Sequence, residues 1–180
     1  EEVKATAATE GGGSSFAFVQ LIATYLVDAQ YLPDFSYAFY NGVGKKNRKI
    51  RVDGYVYDEF DQTMNIIIAD YTGDMERDTL TKTTANQFFD RAQFFLEEAI
   101  SGRLSKEIEI SSAAADLVEL LNFRRAEIRK YRLYLFTDGF MSGSITNIEP
   151  SMFDGIVVDR QIWDIARIYR NFTNAENELV

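Results

Sequence analysis

The chain has no cysteine and no histidine in its 180 residues. The first absence excludes disulfides and thiolate metal sites, and the second excludes imidazole ligands and histidine-based acid–base chemistry. Chemistry must therefore come from carboxylates, Lys, Ser, Thr or Tyr. No run of about 18 apolar residues is present to cross a bilayer, and the acidic opening EEVKATAATEGGGSS lacks the basic-then-apolar pattern of a secretory signal. We expect a cytoplasmic protein with no membrane association. Excess positive charge is also missing. A formal net charge of −9 opposes indiscriminate contact with nucleic acid, because an acidic surface gains little from counterion release unless basic residues are segregated locally.

What is present is a globular composition. With 46% hydrophobic residues the chain can bury a sizeable core, and its length suits one domain. Residues 1–15, small, polar and ending in GGGSS, read as a flexible lead-in, leaving a single domain over 16–180. FAFVQLIATYLVDA is apolar on nearly every side, which suits a buried helix over 16–29, and Pro33 stops it. SYAFYN, KIRVDGYVYD and MNIIIADY read as three strands. The third has consecutive apolar residues, which places it centrally in a sheet with both faces covered. Phe88, Ala92, Phe95 and Ala99 then recur at helical spacing over 84–101, and SSAAADLVELLNFRRAEI gives another helix. YRLYLFTDG is a buried strand ending in a turn. GIVVDRQIWDIARIYR reads as a short strand and a helix that shares Ile162, Ile165, Ala166 and Tyr169 on one face, with Trp163 as its core anchor. The order is that of an α/β or α+β layer structure.

Two carboxylates bracket the hairpin VDGYVYDEFDQTMNIIIADYTGD, Asp53 opening its first strand and Asp70 closing its second. Antiparallel pairing can bring such positions together, and two converging carboxylates are what a hard cation such as Mg²⁺ requires. The alternative is that they are solvated strand-end acids. Basic residues are segregated in two places. KKNRKIR carries Lys45, Lys46, Arg48, Lys49 and Arg51 immediately before Asp53, and FRRAEIRKYR carries five more cations. The first run could hold a phosphate backbone, with Lys45, Lys46, Arg48 and Lys49 as candidate nucleic-acid contacts. The competing reading is a pair of solvated loops that balance an acidic domain. TDGFMSGS lacks the base a serine nucleophile needs and reads as a turn. Tyr37, Phe39, Tyr40, Tyr55 and Tyr57 read as half-buried packing rather than base-stacking platforms.

VDGYVYDEFDQTMNIIIADY, LYLFTDGFMS and IWDIARIYR, in that order, resemble the N-terminal region of the bacterial abortive infection phage resistance (AIPR) proteins, from about Phe16 onward. The resemblance implies an α/β domain with a mixed central sheet flanked by helices. Its core would be restriction-endonuclease-like (PD-(D/E)xK, in the order α-β-β-β-α-β), with an added helix and a C-terminal strand and helix. It also implies antiphage defence and a chain that is part of a longer protein, whose C-terminal region would be a partner. Carried over by position, Asp53 is the first acidic residue, and the acidic-x-Lys triplet falls on Asp70, Tyr71 and Thr72. The lysine is absent, and the first helix lacks the glutamate often found there, with Asp28 the only acid near its end. Lys82, just before the long helix, is the candidate replacement. Asp53 and Asp70 would be the metal and catalytic carboxylates, with Lys82 as the third catalytic residue, and Mg²⁺ would be the cofactor of a complete site and bind weakly or not at all to a degenerate one. The expected function is nucleic-acid or partner binding by a nuclease-like domain. The alternatives are an active Mg²⁺-dependent nuclease cutting DNA or RNA and an interaction module without a nucleic-acid role.

Overall fold

A computed structural model describes residues 13–178, with side chains described to residue 174. The expectation for the lead-in therefore lies mostly outside the described residues. The first helix, α1, runs Ser14–Asp28 and buries Phe18, Val19, Ile22 and Leu26 along one side. Three strands follow as an antiparallel meander, β1 (Ser36–Val43), β2 (Lys49–Asp58) and β3 (Thr63–Asp70). A long helix, α2 (Lys82–Ile100), a single turn, α3 (Leu104–Glu107), and α4 (Ala115–Arg124) lead to β4 (Lys130–Thr137). The chain closes with β5 (Ser151–Phe153), β6 (Ile156–Trp163) and α5 (Ile165–Glu178).

The six strands form one sheet in the order β1-β2-β3-β4-β6-β5. β4 runs parallel to β3 and to β6, while β2 and β5 run against their neighbours. All eight residues of β3 are buried, because the strand has partners on both edges and helices on both faces. One face meets α2 and α4, where Met64, Ile66, Ile68 and Leu133 pack with Phe89, Phe95 and Leu121. The opposite face meets α1 and α5, where Ile67, Ala69 and Phe136 pack with Phe18, Ile22 and Ile168. No helix among the described residues is long and apolar enough to cross a membrane. The protein is thus a mixed α/β domain with a central sheet between helices.

Four details depart from the sequence reading. β6 extends to Trp163, so Ile162 lies on a strand rather than on the closing helix, which begins at Ile165. The cause is parallel pairing, since Ile162 and Trp163 oppose Leu135 and Phe136 of β4 and sheet register overrides helical spacing. The helix expected through Ile128 ends at Arg124. β5, three residues long, and α3, one turn, carry too little periodicity to be read from sequence. Trp163 is buried at the end of β6, and Arg167 of α5 stacks on its ring at 3.7 Å.

Candidate functional site: an arginine-bridged acidic centre and a clamped basic loop

β3 and β4 run side by side, and their register brings Asp70 opposite Thr137, so the two strands deliver Asp70 and Asp138 to the same end of the sheet. The polar segment after β3 then turns back and places Arg77 between them. Arg77 Nη2 donates to Asp70 Oδ2 at 2.6 Å, and Nη1 donates to Asp138 Oδ1 at 2.6 Å. Thr137 Oγ1 donates to Asp70 Oδ2 at 3.1 Å. Asp138 Oδ2 also accepts the amide of Gly73 at 2.7 Å, which holds the segment after β3 against the turn after β4. Gly73 supplies the positive φ this bend requires. Burial works against the Arg77 charge, but the hydrogen bonds and the pull of both carboxylates outweigh it and hold the guanidinium above its ordinary pKa. A cavity of about 560 Å³ opens beside this bridge, walled by Phe18, Tyr71, Met75, Phe140 and Ile165. Burial, with the Asp138 carboxylate adding to it, raises the Tyr71 hydroxyl and keeps it protonated.

Asp53 is held separately. Arg51 Nε and Nη2 donate to its two oxygens, both at 3.0 Å, a bidentate pair, and the amide of Ala69 donates to Oδ2 at 2.9 Å. The Asp53 side chain thus stands where a strand carbonyl would, and regular β2–β3 pairing starts one residue later, at Gly54 opposite Ile67. Asp53 and Asp70 lie on adjacent antiparallel strands, but they share no hydrogen-bond partner among the described residues. Asp70 continues the alternation of Ile66 and Ile68 toward α2, whereas Asp53 sits with Arg51 opposite to Ile50 and Val52, which also face α2. β2 changes phase here, since Tyr55 and Tyr57 lie on the α2 side and Val56 on the other, and each carboxylate is held by its own guanidinium, Asp53 by Arg51 and Asp70 by Arg77. Lys82 is the first residue of α2 and is exposed. Among the described residues it makes no hydrogen bond or ion pair, and the cation beside Asp70 is Arg77.

The basic loop between β1 and β2 is tied to α2. The buried carboxylate of Glu98 accepts the amide of Lys45 at 2.7 Å and lies 3.7 Å from Arg48 and 3.4 Å from Arg103. Arg48 also pairs with Glu97 at 3.0 Å and stacks over Phe94 at 4.0 Å. Lys46 and Asn47 take positive φ values of 58° and 61°, so the loop is tightly wound. Arg48 is thereby committed to structure, while Lys45, Lys46 and Lys49 project into solvent without an ion pair among the described residues. The second basic run is largely neutralised. Arg124 pairs with Glu127 and Glu59, Arg125 with Asp154, and Lys130 with Asp159. Of the five aromatics expected to pack, Tyr40, Tyr55 and Tyr57 lie against the α2-side core, Tyr37 meets Phe16 edge-on, and Phe39 is exposed near Arg51.

Arg77, Thr137 and Asp138 are the site residues that sequence reasoning missed. Arg77 is the one cation between Arg51 and Lys82, embedded in DMERD, and that isolation was the available signal. Asp138 was read only as part of a turn.

A three-layer α/β domain with an arginine-bridged acidic centre at its strand ends and a clamped basic loop is the class that fold and site define. The chain belongs to the family of the abortive infection phage resistance protein N-terminal domain, whose model matches residues 18–170. No curated protein and no solved structure matches the chain.

Proposed function

We propose that this domain has a restriction-endonuclease-like core whose acidic centre is closed by arginines, and that it serves phage defence by binding nucleic acid through Lys45, Lys46 and Lys49 without cutting it. The observation that carries the reading is the occupancy of the carboxylates. A Mg²⁺ ion needs carboxylate oxygens turned toward one point. Both Asp53 oxygens instead face Arg51, Asp70 Oδ2 faces Arg77 and Thr137, and the two carboxylates share no hydrogen-bond partner among the described residues. These residues do not fit a shared metal ion. Among the described residues there is also no group of three or more acidic side chains arranged to hold one. The order helix, three antiparallel strands, helices and a parallel strand supports the proposed core, and the exposed lysines on a rigid loop support the binding surface.

One feature favours a working nuclease instead. Arg77 sits beside Asp70 as a cation able to offset charge on a phosphate, if it were freed from Asp138. Single- and double-stranded DNA and RNA, incubated with the chain and Mg²⁺ or Mn²⁺, decide between the two. We expect binding that weakens steeply with salt, and no cleavage above that of an Asp70→Ala variant. Replacing Lys45, Lys46 and Lys49 with Ala should weaken binding whatever the sequence and flatten the salt slope by up to about 3, near one unit per lost phosphate contact. Metal-dependent cleavage lost in both Asp53→Ala and Asp70→Ala would establish the nuclease. Unchanged affinity and slope in the lysine variant would return the loop to solvated surface and the domain to a protein-interaction role.

A further inference from the structure

A second cavity, of about 610 Å³, lies between the loop over 140–148, the end of β6 and the first turns of α5, and shares Phe140 with the cavity beside the acidic centre. This volume suits a small organic ligand. The loop is fixed rather than draped, since Leu80 N donates to Phe140 O at 2.8 Å and Ser142 N donates back to Leu80 O at 2.9 Å. Asp164 is the one acidic residue in the lining, and its two oxygens are taken by the backbone amides of Met141, at 3.0 Å, and Arg167, at 2.8 Å. It ties the loop to α5 and caps the helix, and makes no ion pair with a lining arginine among the described residues.

Three arginines line the same space. Arg160 is turned toward Asn86, Asp90 and Gln93 of α2, and Asp90 meets its charge. Arg167 and Arg170, one turn apart on α5, have no ion pair among the described residues. Burial lowers the Arg167 pKa, Tyr134, Tyr31 and Asp164 pull against it, and the Arg170 charge adds a smaller push downward, while Arg167 Nη1 donates to the Ile162 carbonyl at 2.9 Å. Arg167 is half-buried and Arg170 exposed, and an anionic group reaching both would offset their like charge. The loop wall mixes the polar Ser142, Thr146 and Asn147 with apolar side chains, Phe140 and Met141 among them.

We propose that this cavity binds a nucleoside phosphate, with Arg167 and Arg170 holding the phosphate and Phe140 and Met141 covering the base. A free nucleotide and the 5′-phosphorylated end of a nucleic acid share this chemistry. The site is independent of the Lys45–Lys49 loop, so the triple-lysine variant serves as a control that retains it.

The protein carries its own reporter. Trp163 is its one tryptophan, and Arg167 rests on that ring, so a phosphate that draws Arg167 away changes the emission. Titrating the full chain with AMP, ATP, adenosine, inorganic phosphate and a 5′-phosphorylated dinucleotide, by tryptophan fluorescence and calorimetry, tests the proposal. We expect at least one phosphorylated nucleoside, free or terminal, to bind with Kd below about 1 mM, more tightly than adenosine or inorganic phosphate. Arg170→Glu, an exposed change that leaves the fold intact, should weaken it by about tenfold or more, and Arg167→Gln should abolish the emission change. No saturable binding by any phosphorylated nucleoside, equal binding of inorganic phosphate, or unchanged affinity in Arg170→Glu would overturn the assignment.

Discussion

Arg77 joins two carboxylates from different strands, and its side chain is only 16% exposed, so its removal strands two anions where water reaches them poorly. Deleting one member of such a buried cluster typically costs about 3–5 kcal/mol, and we expect Arg77→Ala to lower stability by that order in urea unfolding. Arg77→Lys should recover only part of it, because one ammonium cannot span both acids as a fork does. A loss below about 1 kcal/mol would mean that solvent already screens the bridge. Tyr131 makes the opposite kind of prediction. It is buried under the α2-side core, and burial, with the Asp154 carboxylate adding and Arg125 opposing, pushes its hydroxyl up to about 12. The folded state therefore favours the neutral phenol. This contribution is whole below the unfolded pKa of about 10 and is lost as pH rises from there through about 12, amounting to about 2–3 kcal/mol. Tyr131→Phe should flatten that part of the alkaline stability profile, and an unchanged slope would assign it to other groups.

Among the elements, the β1–β2 hairpin shows how tightly one position can be fixed. A Cβ on Gly54 would lie 2.4 Å from the Phe35 ring and 3.0 Å from the backbone oxygen of Ser36. We expect Gly54→Ala to destabilise by about 1–3 kcal/mol. Adding Phe35→Ala should give less than the sum of the two single losses, because the pair is in contact, whereas full additivity would place the strain on the Ser36 carbonyl. Elements with strong periodic signals were legible in the sequence. The buried run of β3 and the 3.6-residue spacing of α2 left little choice, and β3 is central as its composition required. What stayed hidden depended on partners. Ile162 fits a helical face with Ile165 and Ala166, and only β4 alongside keeps it extended. The site was half legible for the same reason. Asp53 and Asp70 stand on adjacent strands as their spacing indicated. Their guanidinium partners were not foreseen, because Arg51 was counted with a phosphate-binding run and Arg77 sits in a loop whose path is set by Asp138, far along the chain.

At the scale of the whole molecule, charge is partitioned rather than averaged. Three cations of the second basic run, Arg124, Arg125 and Lys130, are matched by acids, whereas Lys45, Lys46 and Lys49 have no ion pair among the described residues. Raising salt should therefore weaken nucleic-acid binding while leaving the buried bridges, and with them the unfolding midpoint, nearly unchanged.

β4 has no hairpin neighbour, for both of its partners are parallel and lie across long connections, residues 71–129 on one side and 138–155 on the other. The other strands belong to two locally closed pieces, the β1–β2–β3 meander and the β5–β6 hairpin, so β4 is the seam that sews them together. Closing long loops is the slow part of assembly. In pulsed hydrogen exchange the amides of Leu133, Tyr134 and Leu135 should accordingly gain protection after those of the meander. The Arg77 bridge spans that seam and forms only once it is shut. Arg77→Ala should then leave the refolding rate almost untouched and appear as faster unfolding, which makes the acidic centre a latch on the lifetime of the folded state.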